Sequence, residues 1–329
     1  MAAVKLTIRL ATFLLPIFAA PLMLHAQAAH EPVTQTTTAI QQPAESQPVA
    51  TPDSSKDRPL PDVVAMMRSV ELNQRKAEGV KKDYIFRSVT TENEVDSSGR
   101  VKKSTVTEAD HYWSNGVPVM RVVRKNGKDL SPDEMAKENK RIEKEAAKAH
   151  ERRERADAQG KETSPRGDDE ITVSRLIELG AFTNPRRVQL NGRDTIAVDF
   201  TGDPKAKTRN RAEEVIRDIA GTAWIDERDH VLTRAEGHFV SAFKVGGGLL
   251  VNVRKDTRFA MQQTKVNDEV WLPAVFEGQG GARALLFMSF NGDVRMVCSD
   301  YRKFRATSTI LPGATRVDQQ AEPNGPAQP

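Results

Sequence analysis

The chain has 329 residues, 29% of them charged and only 5% aromatic, with a formal net charge of +4 and one cysteine. A single cysteine excludes an intramolecular disulfide framework, and acids and bases mixed along the chain, with no gathered basic block, argue against a nucleic-acid partner. The scarcity of aromatic residues, with no interfacial girdles, argues against an outer-membrane barrel.

Lys5 and Arg9 precede an apolar stretch from Leu10 to Leu24 that is too short and too interrupted by proline for a membrane span. Ala26-Gln27-Ala28 then supplies a small-x-small cleavage pattern. Residues 1–28 are therefore expected to be a signal peptide, leaving a near-neutral protein in the periplasm or outside the cell. No cysteine follows the apolar stretch, so lipid attachment there is not expected. Residues 29–59 and 306–329, rich in Pro, Gln, Thr, Ser and Ala, cannot bury enough apolar surface to offset ordering entropy. They are expected to be a loose leader and tail around one domain, 60–305.

That domain opens with a helix capped by Asp62, in which Val63, Val64, Met66, Met67 and Val70 recur at helical spacing. Its methionine pair either packs in the core or touches an apolar ligand. Tyr84–Val95, Val101–Trp113 and Val117–Lys125 follow as strands, punctuated by Asp96-Ser97-Ser98-Gly99, Asn115-Gly116 and Asn126-Gly127, turn residues that tolerate positive φ. Ser131-Pro132-Asp133-Glu134 is a capping box with proline in the first turn. The helix it starts, running to about Asp157, interleaves acids and bases at spacings such as Glu138/Arg141 and Arg141/Glu145. So narrow an apolar stripe predicts a solvated insertion, 131–169, or an arm for a partner, and not a core element. Arg166-Gly167-Asp168 within it is a tripeptide of the kind that recurs by chance.

Ile171–Leu179 reads as a short helix ended by Gly180, and Thr208–Ala220 as another ended by Gly221. Arg187–Leu190 and Thr195–Thr201 flank the hairpin signal Asn191-Gly192, with Ile196, Val198 and Phe200 on one dry face. Val231–Val245 alternates Val231, Ala235, Phe239 and Phe243 with Arg234, Glu236, His238 and Lys244. Past Gly246-Gly247-Gly248 the dry face continues through Leu249, Val251, Val253, Phe259 and Met261. Val270–Glu277, Arg283–Phe290 and Arg295–Phe304 complete the run, separated by Gly278-Gln279-Gly280-Gly281 and Asn291-Gly292-Asp293, with Phe276, Met288 and Met296 on their apolar faces. The fold class is α+β: a curved antiparallel sheet covered by helices, with a charged helical insertion. Such a sheet either fills its interior or leaves an apolar cavity.

Catalytic motifs are missing: the chain has no GxSxG, HExxH, CxxC or Walker loop. Asp226 and His230 lie four apart at a hairpin and could act as acid and base or ligate a metal, but a local ion pair in a surface turn is the simpler reading. Cys298 sits in a strand-like run, as a buried small hydrophobe would. No catalytic residue, metal or cofactor is expected.

Three segments, Gly221-Thr222-Ala223-Trp224-Ile225-Asp226, Val270-Trp271-Leu272-Pro273 and Ser299-Asp300-Tyr301-Arg302-Lys303-Phe304, resemble periplasmic proteins of the outer-membrane lipoprotein-sorting, LolA-like superfamily. The likeness spans Leu60 to Phe304. It implies an unclosed β-barrel whose helices cover an apolar interior that receives acyl chains or other hydrophobic cargo. The superfamily also includes regulators that sense envelope lipoproteins. The charged segment from Ser131 to Asp169 departs from the simplest carriers. The expectation is a non-catalytic periplasmic carrier or binder of lipid, lipoprotein or other hydrophobic cargo, with transient membrane contact. Its cargo-binding residues would be Val198, Phe200, Phe239, Phe243, Val253, Phe259, Phe276 and Met288. The alternative is an envelope regulatory or scaffold module that binds another protein through a sheet edge or the charged helix.

Overall fold

The computed structural model describes residues 51–52, 58–160, 163–164, 171–245, 251–284 and 288–304. The expected signal peptide, most of the leader, Arg166-Gly167-Asp168, Gly246-Gly247-Gly248 and the tail lie outside the described residues.

The strands are β1 (Thr51–Pro52), β2 (Tyr84–Val95), β3 (Val101–Ser114), β4 (Val117–Lys125), β5 (Lys128–Asp129), β6 (Gly180–Leu190) and β7 (Arg193–Gly202). They continue as β8 (Ile219–Asp226), β9 (Val231–Phe239), β10 (Phe243–Val245), β11 (Val251–Val253), β12 (Arg258–Val266), β13 (Val270–Ala284) and β14 (Met288–Lys303). Four helices intervene: α1 (Val63–Lys81), α2 (Pro132–Asp157), α3 (Val173–Leu179) and α4 (Arg211–Ile216). All the strands belong to one sheet in the order β1-β6-β7-β8-β9-β12-β13-β14-β2-β3-β4-β5, with β10 and β11 forming a side ribbon against β13. Every pairing is antiparallel, and β1 and β5 are the two ends, so the sheet curves without closing. The last strand, β14, pairs with the first long one, β2, in registers such as Met296 with Thr90, which ties the two halves together.

The asparagine-glycine turns form as the sequence requires. Asn115, Asn126 and Asn191 take φ of 50°, 48° and 52°, and the glycine after each also has positive φ, the combination that matches strand twist in tight hairpins. Ser131 and Glu134 form a reciprocal capping box at the start of α2, and the Asp62 carboxylate accepts the Ala65 N–H at 2.7 Å to cap α1.

Elsewhere glycine signals close approach where the sequence suggests a turn. β13 runs straight through Gly278–Gly281 and β14 through Asn291-Gly292-Asp293, paired with each other as Gln279 with Asp293 and Gly280 with Gly292. A Cβ on Gly292 would lie 1.8 Å from the Asn93 carbonyl oxygen of β2. The expected helix Thr208–Ala220 is only one and a half turns of α4, and Gly221 sits inside β8, where a Cβ would lie 1.9 Å from the Glu236 carbonyl oxygen. The strand expected over Val231–Val245 breaks after Phe239, whose N–H turns to the Thr257 carbonyl at 3.0 Å.

The charged helix α2 keeps most of its residues exposed, but it packs along β4 and buries Glu138, Ala149 and Ala156. The physical reason lies in its pairs: Arg141 saturates Glu138 and Glu145 and lets both charge and stem pack inward.

Two apolar clusters fill the concave side. Phe239, Phe243, Phe259, Phe276, Met296 and Cys298 pack together near the sheet centre, with Val215 and Ile219 joining from the α4 corner. Met66, Met67 and Val70 of α1 and Val173 of α3 cover Ile196, Val198, Ile225, Leu232 and Ala235.

Candidate apolar site under the helices

Inward positions on β8 read Ile219, Gly221, Ala223 and Ile225, and on β9 they read Leu232, Ala235, Gly237 and Phe239. The register sets the small ones side by side, Gly221 opposite Gly237 and Ala223 opposite Ala235. Two glycines and two alanines form a shallow floor that the side chains of α1 and α3 do not fill. An apolar cavity of about 80 Å³ results, lined from α1 by Met67 and Val70, from α3 by Leu176, and from the sheet by Phe200, Ala223 and Phe259. Glu236 is the charged residue at its margin, and its carboxylate is held by Arg234, whose guanidinium also stacks over Trp224.

The space is apolar and small. Pockets for drug-sized ligands run to roughly 300–1,000 Å³. An acyl chain therefore enters only if α1 or α3 shifts. Arg175 ties α3 to Glu213 of α4, so α1 is the element to move; Asn73 donates to the Asp229 carbonyl at 3.0 Å, and Glu71 accepts the Val173 N–H at 3.1 Å. Met66, Met67 and Val70 add an apolar, non-directional grip of α1 on the sheet.

The residues expected to bind cargo separate into groups. Phe200 and Phe259 line the cavity, and Phe200 also packs on Phe182 with ring centroids 5.1 Å apart. Val198 faces the same side but lies wholly buried in the cluster beneath α1. Phe239, Phe243, Val253 and Phe276 belong to the central cluster and do not line the cavity. The side chain of Met288 lies outside the described residues. Lining residues missing from the expected set include the helix side chains Met67, Val70 and Leu176 and the small strand residues Gly221, Ala223, Ala235 and Gly237. Alternation of Gly and Ala at inward positions of two neighbouring strands is the pattern that reveals such a floor.

Asp226 and His230 do not form an acid–base pair. Asp226 is buried, takes the Arg193 guanidinium, and accepts the N–H groups of Arg228 and Asp229, while the His230 N–H meets only the Asp226 carbonyl. The ion pair is thus between hairpins and not local to the turn. Beside it, Asp229 accepts from Arg193 at 3.0 Å and from the Trp271 ring N–H at 2.9 Å, with the Lys265 ammonium at 3.0 Å. Burial opposes its ionisation, but Lys265 and Trp271 hold the carboxyl below its ordinary range. This network clamps the β6–β7, β8–β9 and β12–β13 ends of the sheet.

The Ser88 hydroxyl lies 2.8 Å from His111 Nε2, and Phe86 stacks on the imidazole at 4.6 Å. Ser88 is 1% exposed, so the pair satisfies a buried hydroxyl and does not present a nucleophile to solvent. Burial likewise pushes the Cys298 thiol up to about 12, which makes it inert packing. Among the described residues no group of three or more His, Cys, Asp or Glu side chains could hold a metal. No helix among them is long and apolar enough to cross a membrane.

No protein-family model matches the sequence, and no curated protein matches it. Solved structures similar to it include a DUF1329 family protein from Desulfovibrio piger, at 10% identity and TM-score 0.32 over 74% of this chain and 94% of that one. A LolA superfamily protein from Nitrosomonas europaea is similar at 8% identity and TM-score 0.30, over 72% and 93% of the two chains. The MucA/MucB complex of Pseudomonas aeruginosa gives 8% identity and TM-score 0.21, over 72% and 99%. The functional reading rests on the chain's own geometry.

Proposed function

We propose that the chain is a non-catalytic envelope binding protein that takes up an acyl chain or a comparable hydrophobic group between α1, α3 and the concave sheet. The observation that carries this reading is the cavity over Gly221, Ala223, Ala235 and Gly237, where two adjacent strands put minimal side chains opposite Met67 and Val70 of α1. Cargo burial at roughly 25 cal/mol per Å² would offset the displacement of α1 from the sheet. Phe200 and Phe259 would bound the cargo, and the central phenylalanine cluster would keep the sheet in shape while α1 moves.

The competing reading, a module that pairs a partner's strand with a free sheet edge, has less room. α2 occupies the β4 edge, and β1 occupies one end of β6.

Native mass spectrometry of the protein isolated from its own cell envelope tests the proposal. It should carry a hydrophobic molecule that is released on denaturation. Protein free of any such adduct, together with failure of the delipidated form to take up acyl probes, would overturn it.

A further inference from the structure

The residues of four adjacent strands line up in rows at the cavity. Phe200 of β7 pairs with Gly221 of β8, Gly221 with Gly237 of β9, and Gly237 with Phe259 of β12. The next row holds Val198, Ala223, Ala235 and Met261 in the same register. In each row two minimal residues stand between two large ones, so the cavity floor is a trough along β8 and β9, walled by β7 and β12. Neighbouring strands lie about 4.8 Å apart, which gives the floor the width of one alkyl chain lying along the strands.

The two walls are unlike. The Phe200 ring leans outward across Gly180, where a Cβ would lie 2.6 Å from its Cζ, and packs on Phe182. The Phe259 ring leans inward: a Cβ on Gly237 would lie 2.5 Å from its Cζ, so the ring lies across the glycine row. Only glycine at 237 leaves room for it there. Just beyond that row Ile219 stands opposite Phe239, and both pack with Phe259 in the central cluster, which closes this end of the trough. The alanine row lies instead under Met67 and Val70 of α1, the helix whose displacement admits cargo. A chain entering there runs toward the glycine row and meets the Phe259 ring.

We propose that the trough admits one unbranched alkyl chain and that Phe259 is its stop, the residue that sets the length of chain buried. The proposal rests on the cargo reading given above and names the shape of the cargo. Methyl branches would strike the walls on β7 and β12, and two chains side by side would need a wider floor.

The test is titration of the delipidated full chain with straight-chain carboxylates from octanoate to octadecanoate, and with phytanate, the methyl-branched counterpart of hexadecanoate. Each methylene that stays buried tightens binding about fourfold, so affinity should climb along the series and level off at the length that reaches the ring. Phe259→Ala should move that plateau to longer chains, so that about two to four further methylenes become buried. Gly237→Ala, whose methyl group lifts the ring into the trough, should weaken the binding of every chain. Phytanate should bind wild type about tenfold more weakly than hexadecanoate, as overpacking a fitted space requires.

Circular dichroism checks that each variant keeps the fold. Phe259→Leu, too short to cross Gly237 but filling the cluster, should show the same shift in smaller measure and decides the matter if the alanine variant does not fold. One plateau shared by wild type and the folded Phe259 variants would overturn the stop while the cargo reading stands. Equal binding of phytanate and hexadecanoate would overturn the single unbranched chain. Absence of binding by every ligand to wild type would overturn the cargo reading and this proposal with it.

Discussion

Glu138 does for Val122 what a neighbouring strand would do: its carboxylate accepts the Val122 N–H at 2.9 Å, at the edge of β4. Arg141, one turn later, donates to the Met120 carbonyl and to Glu138, both at 2.6 Å, and Arg153 reaches the Gly116 carbonyl at 3.3 Å. A charged helix thereby satisfies backbone groups that an open edge would offer to another chain. Burial opposes the charge on Glu138, yet the bonds from Arg141 and Val122 keep its carboxyl below the ordinary range.

Glu138→Ala should therefore destabilise the protein by about 3 kcal/mol, because it leaves the shielded Arg141 guanidinium without its main partner. It should also free the β4 edge. Urea denaturation and size-exclusion chromatography check both effects. Unchanged stability and a strictly unaltered oligomeric state would remove α2 from the role of edge cover.

Gly221→Ala should cost on the order of 3 kcal/mol, since the Glu236 carbonyl oxygen occupies the place of the new methyl group and β8 and β9 must part. A denaturation midpoint equal to that of wild type would contradict the register Gly221 with Gly237.

Phe276 and Phe200 lie on the same face but have different duties. Phe276, 1% exposed and central to its cluster, should cost about 4 kcal/mol on truncation to alanine, whereas half-buried Phe200, at the cavity wall, should cost less than half of that. Paired chemical denaturation curves decide the ranking.

Acid should weaken the α3–α4 corner. Arg175 grips Glu213 with two nitrogens, at 2.9 and 2.8 Å, and holds its carboxyl below the ordinary range, with help from the Arg209 N–H. A carboxyl with a depressed folded-state pKa contributes its full stabilisation above the unfolded value of about 4.3 and loses it as pH falls through the folded value. Glu213→Gln should lower stability by about 2 kcal/mol at pH 7 and flatten the decline between pH 5 and pH 3. Urea midpoints across that range supply the comparison, and parallel curves for the two proteins would contradict it.

Local patterns carried much of the fold into view. The alternation of Ile196, Val198 and Phe200 marks the dry face, Asn191-Gly192 marks its hairpin, and Ser131 with Glu134 marks the start of α2, because each depends on neighbours in sequence. What stayed hidden depends on register. Gly292 looks the same in sequence whether it turns the chain or admits the Asn93 carbonyl. Glu138 and Arg141 pair within their helix on paper, and only the fold shows them turned toward β4. The cavity needs Gly221 against Gly237 and Ala223 against Ala235, a coincidence across two strands that no single strand reveals.

The central claim, that the space over these four small residues receives hydrophobic cargo, is tested most directly by titrating delipidated wild type and Ala223→Leu with a fluorescent acyl probe. Wild type should bind saturably at one site, and Ala223→Leu, filling the floor while keeping the fold, should bind at least tenfold more weakly. Equal binding by the two proteins, or no saturable binding by wild type, would contradict the account.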